Sequence, residues 1–155
     1  MSSFDSALVS LLPANPGSLV VSGGAPVEDL HLTLWFIPTA ATSPVQASKL
    51  ASALSVLAAG YRPVTARVYR AITIGDPRTA SALQVVAKDI APIRADIKSR
   101  VPEIPDWNHK KFIPHVSLGY HVPVQPQFTG KKILFDRVAL WWPGRPALEY
   151  RLSAR

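Results

Sequence analysis

The chain has 155 residues, 48% apolar and 17% charged, which is enough apolar content to bury a core and a length suited to one domain of about 100–150 residues. Cysteine is absent, excluding a disulfide framework, a thiol nucleophile, iron–sulfur ligation and zinc held by sulfur. The net charge of +7 is uneven: residues 1–106 hold 9 basic and 8 acidic side chains, whereas residues 107–155 hold 8 and 2, a local positive field that attracts phosphates without choosing among them.

From the N-terminus, Ala7 to Leu12 is a short apolar stretch preceded by Asp5 and no basic residue, and no later run approaches the roughly 18 apolar residues of a membrane span. The expectation is a soluble, cytoplasmic monomer with no membrane partner. Leu32, Leu34 and Phe36 then alternate with His31, Thr33, Trp35 and Ile37, the period-2 pattern of a strand, which Pro38 ends. Ser43-Pro44 offers an N-cap and a first-turn proline, and Ala47, Leu50, Leu54, Leu57 and Ala58 recur at helical spacing up to Gly60. Strands are predicted at 64–74 and 81–86, joined as a hairpin through Gly75-Asp76-Pro77. A second helix is predicted over 89–100, with Asp89 as N-cap, Pro92 in the first turn, and Ile90, Ile93, Ile97 and Val101 on one face. After a loop at 102–111, strands are expected near 115–120, 132–141 and 147–152, the last following the Pro143-Gly144 turn. This order predicts an α+β fold with helices on a largely antiparallel sheet. Each half contains a strand that begins with a histidine.

Those histidines open two related segments, His31-Leu32-Thr33-Leu34 and His115-Val116-Ser117-Leu118. Residues i and i+2 of a strand share a face, so each segment aims an imidazole and a hydroxyl to one side and its apolar residues to the other. Brought together, two imidazoles and two hydroxyls suit phosphodiester chemistry. One histidine takes a proton from the attacking oxygen, the other protonates the departing oxygen, and Thr33 and Ser117 hydrogen-bond the nonbridging oxygens. Imidazole serves either role because its ordinary pKa of about 6.5 makes both forms accessible near neutrality. A metal site is the competing reading, but only Glu28 and Asp29 lie close in sequence, and catalysis needs neither metal nor other cofactor.

At these residues the chain resembles the 2H phosphoesterase superfamily, which includes 2′-5′ RNA ligase-like proteins and 2′,3′-cyclic nucleotide phosphodiesterases. The matching segments are Glu28-Asp29-Leu30-His31-Leu32-Thr33-Leu34 and Phe112-Ile113-Pro114-His115-Val116-Ser117-Leu118, with serine standing for the more usual threonine in the second. Gly23-Gly24-Ala25-Pro26 resembles a stretch of the actinobacterial and bacteriophage variants. The resemblance spans nearly the whole chain. It implies a bilobal, pseudo-twofold fold with a central cleft, each lobe giving one motif, and a metal-independent phosphodiesterase acting on a nucleotide or RNA end. A 2′,3′-cyclic phosphate, a 2′-5′ linkage and a cyclic oligonucleotide signal cleaved in the host cytoplasm as a phage anti-defence (anti-CBASS) activity are the substrates it suggests. It makes His115 the base and His31 the acid, with the reverse assignment open. Two alternatives are a module that sequesters nucleotide or RNA without cleaving it and an accessory of a phage particle.

Further candidates surround the motifs. Trp35 shares the expected face of His31 and Thr33, where it would stack on a base or simply pack in the sheet. Arg67 and Arg70 fall on opposite faces of the predicted strand, so one of them would reach phosphate oxygens. Lys110 and Lys111, with His109, precede the second motif in a loop that either meets phosphate or is solvated. Tyr120 is expected on the core face and His121 at the periphery, while Trp141 and Trp142 straddle their strand, which would bury one and leave the other for a binding surface.

Overall fold

The structure is a computed structural model that describes residues 6–75, 79–106 and 112–155. Its regular elements are β1 (Ala7–Pro13), β2 (Leu32–Ile37), α1 (Ala47–Ala59), β3 (Val64–Ile74), β4 (Ala80–Val86), α2 (Ile90–Arg100), β5 (His115–Tyr120), β6 (Lys132–Trp141) and β7 (Leu148–Arg151). The strands pair antiparallel in the order β1-β2-β5-β4-β3-β6-β7, and a further pairing of β1 with β6 joins six of them into a closed ring with β7 outside it. This is the expected α+β architecture with an antiparallel sheet. Among the described residues no helix is long and apolar enough to cross a membrane.

The first strand is the element that the sequence pattern hides. Six of its seven residues are buried, including Ser10, so it shows no alternation between an apolar and a polar face. The helices keep the expected faces. Leu50, Leu54, Leu57 and Ala58 of α1 are buried, as are Ile90, Ile93 and Ile97 of α2. They join Leu11, Leu32, Leu83, Val116, Phe135 and Val138 in one apolar cluster, where each fully buried large side chain contributes about 1.5–3 kcal/mol. Helix α1 starts later than expected, with Gln46 as N-cap. Ser43 instead ends a short 3-10 turn at Ala40–Thr42, and its Oγ accepts the Val45 N–H at 3.2 Å.

Four bulges among the described residues shift the register and reverse the alternation beyond them. One falls opposite Val9/Ser10, leaving Leu34 of β2 as the extra residue; one in β3 makes Tyr69 extra; one in β5 makes Leu118 extra; and one opposite Leu12/Pro13 makes Asp136 of β6 extra. An inserted residue turns every later side chain of its strand to the other face, and each of these strands carries candidate residues.

Two glycines fix how the segment before β2 crosses β5. The Ala25 N–H donates to the Leu118 carbonyl at 2.8 Å. A Cβ built on Gly24 would stand 2.5 Å from that same carbonyl oxygen, and one on Gly119 would stand 2.7 Å from the Gly24 Cα. Only two residues without side chains allow the backbones to approach this closely.

Candidate active site

The two motifs meet at one point. Strands β2 and β5 share a single bridge, Leu32 opposite Val116, and both of these residues are fully buried in the core. Antiparallel pairing carried one residue to either side sets His31 against Ser117 and Thr33 against His115. All four side chains then leave the sheet on the face opposite the core, and all four are half-buried. The arrangement is locally twofold about the bridge, with the histidines on the diagonal, where such positions lie about 7–8 Å apart. That separation suits a group held between the rings.

Each ring is oriented in the same way. His31 Nδ1 lies 2.8 Å from the Asp29 carbonyl and His115 Nδ1 lies 2.7 Å from the Ile113 carbonyl, each oxygen two residues upstream. A carbonyl only accepts, so Nδ1 carries the proton in both rings, and Nε2 is left as the proton acceptor of the neutral form or the donor of the charged one. Burial pushes the His31 pKa below the ordinary imidazole value; the Asp29 carbonyl opposes this, and the nearby His115 adds to it. The Trp141 ring meets His31 edge to face, with centroids 4.8 Å apart.

The bulges redistribute the surrounding candidates. Trp35 does not stand beside His31, which corrects the expectation that it lines the site. The extra residue Leu34 turns it to the core side opposite Val9, where it is 5% exposed. There its Nε1–H donates to the Pro105 carbonyl, and Arg94 of α2 lies 4.5 Å over its ring. Phe36 takes the vacated face: it pairs with Leu8, which pairs in turn with Trp141. A row of Phe36, Leu8 and Trp141 therefore borders His31 and Thr33; period-2 counting marked neither Phe36 nor Leu8 and left open which of Trp141 and Trp142 meets a binding surface. Beneath it Ser10, opposite Thr33, buries a hydroxyl with no hydrogen-bond partner among the described residues.

On the other side, the bulge at Tyr69 puts both arginines on the face of His115, correcting the expectation that they diverge. Arg70 pairs with Gln84, which pairs with His115, and Arg70 Nε donates to Gln84 Oε1 at 2.8 Å. Arg67 lies further along, opposite Val86 and Lys132. Tyr120 also changes sides. Past the extra Leu118 it pairs with Ala80, on the face of Ala82 and Ser117, and it is exposed rather than in the core. Lys110, Lys111 and His109 lie outside the described residues. Among the described residues no three His, Asp or Glu side chains are grouped to hold a metal ion.

This ring of antiparallel strands flanked by helices is a fold the chain shares with solved structures. The chain superposes on TT0787 of Thermus thermophilus with a TM-score of 0.72 at 18% identity, covering 97% of this chain and 99% of that one. Escherichia coli LigT complexed with ATP gives 0.56 at 20% identity, covering 96% and 98%. Kluyveromyces marxianus Usb1 gives 0.56 at 12% identity, covering 97% and 99%. No protein-family model and no curated protein matches the chain by sequence.

Proposed function

We propose that this protein is a phosphodiesterase that cleaves a nucleotide or RNA-end phosphodiester by acid–base catalysis between His31 and His115. The observation that carries the reading is the Leu32–Val116 bridge, which sets two imidazoles and two hydroxyls on one face with both Nδ1 atoms tied to backbone carbonyls. The structural relatives support it, since LigT crystallises with 3′-AMP, ATP, NADP+ and phosphate.

With the phosphate seated between the rings, the Nε2 of the neutral histidine takes the proton of the attacking water as its oxygen bonds to phosphorus. The opposite bond from phosphorus to the departing oxygen breaks, and the charged histidine gives that oxygen its Nε2 proton. The hydroxyls of Thr33 and Ser117 donate to the nonbridging oxygens, whose charge grows in the transition state. One proton has passed to the base and one has left the acid, so exchange with solvent restores both. The depressed pKa of His31 favours its neutral form and hence the base role in the free enzyme, the reverse of the assignment drawn from the resemblance. Trp141 and Phe36 offer aromatic surface to a base or sugar on that side.

The finer expectations, a 2′,3′-cyclic phosphate, a 2′-5′ linkage or a cyclic oligonucleotide signal, belong to this proposal, as do the metal-free mechanism and the single domain. A screen of cyclic mononucleotides, 2′-5′ and 3′-5′ dinucleotides and cyclic oligonucleotides, with products identified by mass, decides among them. His31→Ala and His115→Ala should each lower kcat by about 10²–10⁴-fold, and Thr33→Val or Ser117→Ala by on the order of 10², with unchanged circular dichroism. Turnover should persist in excess chelator. Full activity in either histidine variant refutes the scheme, and intact ligand recovered after long incubation with the wild type would make the protein a sequestering module.

A further inference from the structure

Away from the histidines, the same sheet face leads to a cavity of ≈ 480 Å³ whose lining includes Thr65, Arg67, Val86, Lys88 and Lys132 and no acidic residue. All three cations are exposed, and among the described residues none of them forms an ion pair. Arg67 and Lys132 are direct cross-strand partners, and like charges placed opposite one another in a sheet repel. Both side chains are exposed, so water and salt screen much of that repulsion, and a bound anion would turn it into attraction. Val86 and Leu134, opposite Arg67 and Thr65 respectively, leave 51% and 46% of their surface exposed beside the cations. Cationic and apolar groups side by side match a nucleotide chain, which presents phosphates and base faces together.

The register places this cavity relative to the site. Arg67 lies two strands from His115, across Gln84's strand, and two residues further along it. At about 4.8 Å per strand and 3.3 Å per residue, that is about 10 Å across the sheet and 7 Å along it. Neither histidine lines the cavity, so the phosphate that reacts between the rings is not the one the cavity accepts. We infer that the cavity of Arg67, Lys88 and Lys132 is a second subsite, holding another phosphate of the same nucleotide chain. This rests on the phosphodiesterase reading and adds to it a substrate class: linear or cyclic oligonucleotides with several phosphates, in preference to mononucleotides.

The test uses two substrates with the same reacting bond, a 2′,3′-cyclic mononucleotide and a tetranucleotide ending in that cyclic phosphate. The full-length double variant K88Q/K132Q is compared with the wild type. The expected result is that the ratio of kcat/KM for the tetranucleotide to that for the mononucleotide falls about tenfold, mainly through KM. The slope of log kcat/KM against log salt for the tetranucleotide should flatten by about 0.7 for each phosphate that the variant no longer neutralises. Arg67→Gln should move the same ratio in the same direction. Equal losses on both substrates, or none on either, overturn the subsite and leave the phosphodiesterase reading standing. If the wild type turns over neither, the mononucleotide–oligonucleotide pair is rebuilt around the bond cleaved in the substrate screen, and a wild type that cleaves nothing in that screen overturns both readings.

Discussion

The carbonyls that orient His31 and His115 come from residues two positions upstream, so ring orientation is fixed by the backbone before any substrate binds. What distinguishes the rings is their surroundings. Burial lowers the His31 pKa, and the Trp141 edge is part of that cover, because an apolar neighbour disfavours the charged imidazole. With His31 as base, kcat/KM should hold up as the pH falls below the ordinary imidazole pKa and decline only near the depressed value. Trp141→Ala rehydrates the ring, and its acid limb should move upward, which a pH series of kcat/KM would read. An acid limb that stays in place in the variant would count against this role for Trp141. The same depression has a sign for stability. The unfolded chain binds the proton first, so the stabilisation from neutral His31 is complete above the ordinary imidazole pKa. It is lost as the pH falls through the lowered one.

At the scale of elements, the bulges decide which residues can act. Trp35 sits under Arg94 with its Nε1–H bonded to Pro105, and Arg94 Nε donates to the carbonyl of the extra residue Leu34 at 2.9 Å. Trp35→Ala should therefore cost about 3–5 kcal/mol in urea unfolding, as large-to-small changes of buried aromatics do, and Trp35→Phe should retain most of that. A variant of normal stability with a raised KM would return Trp35 to the site. Gly24→Ala tests the crossing over β5. Its Cβ would meet the Leu118 carbonyl and the Val21 side chain at 2.5 and 2.7 Å, so a loss of about 1–3 kcal/mol is expected, seen as a lowered Tm. These residues also show where sequence reading stops. Strands β3, β5 and β6 and the apolar faces of both helices were legible because one side of each is wet, and the motifs were legible because His, Thr and Ser interrupt that pattern at i and i+2. Which face Trp35 and Arg70 occupy was not, because those bulges depend on the partner strand and leave no mark in their own sequence, whereas for Tyr120 the signal was Gly119 next to the extra Leu118. For β1, burial on both faces erased the period itself.

Across the whole molecule, the site lies where the ring is most sparsely paired. Strands β3 and β4 are matched over seven residue pairs and β1 and β6 over six, but β2 and β5 over one. The four motif side chains thus depend on the relative position of two parts, one holding β1, β2, β6 and β7 and the other β3, β4 and β5, which the four β3–β6 pairs join on the far side of the ring. Beneath the bridge the fully buried Leu32 and Val116 tie the seam to the core. Sparse pairing at a seam allows local opening at a free energy below that of global unfolding. Rising urea should therefore abolish turnover before circular dichroism reports loss of the sheet, and a saturating nucleotide, by binding only the closed seam, should bring the two transitions together. Leu32→Ala, which cuts a cavity at the bridge, should widen the interval between them. If wild-type activity and sheet content are lost in one coincident transition without ligand, the β3–β6 ladder and the core couple the two parts too tightly for the seam to open locally.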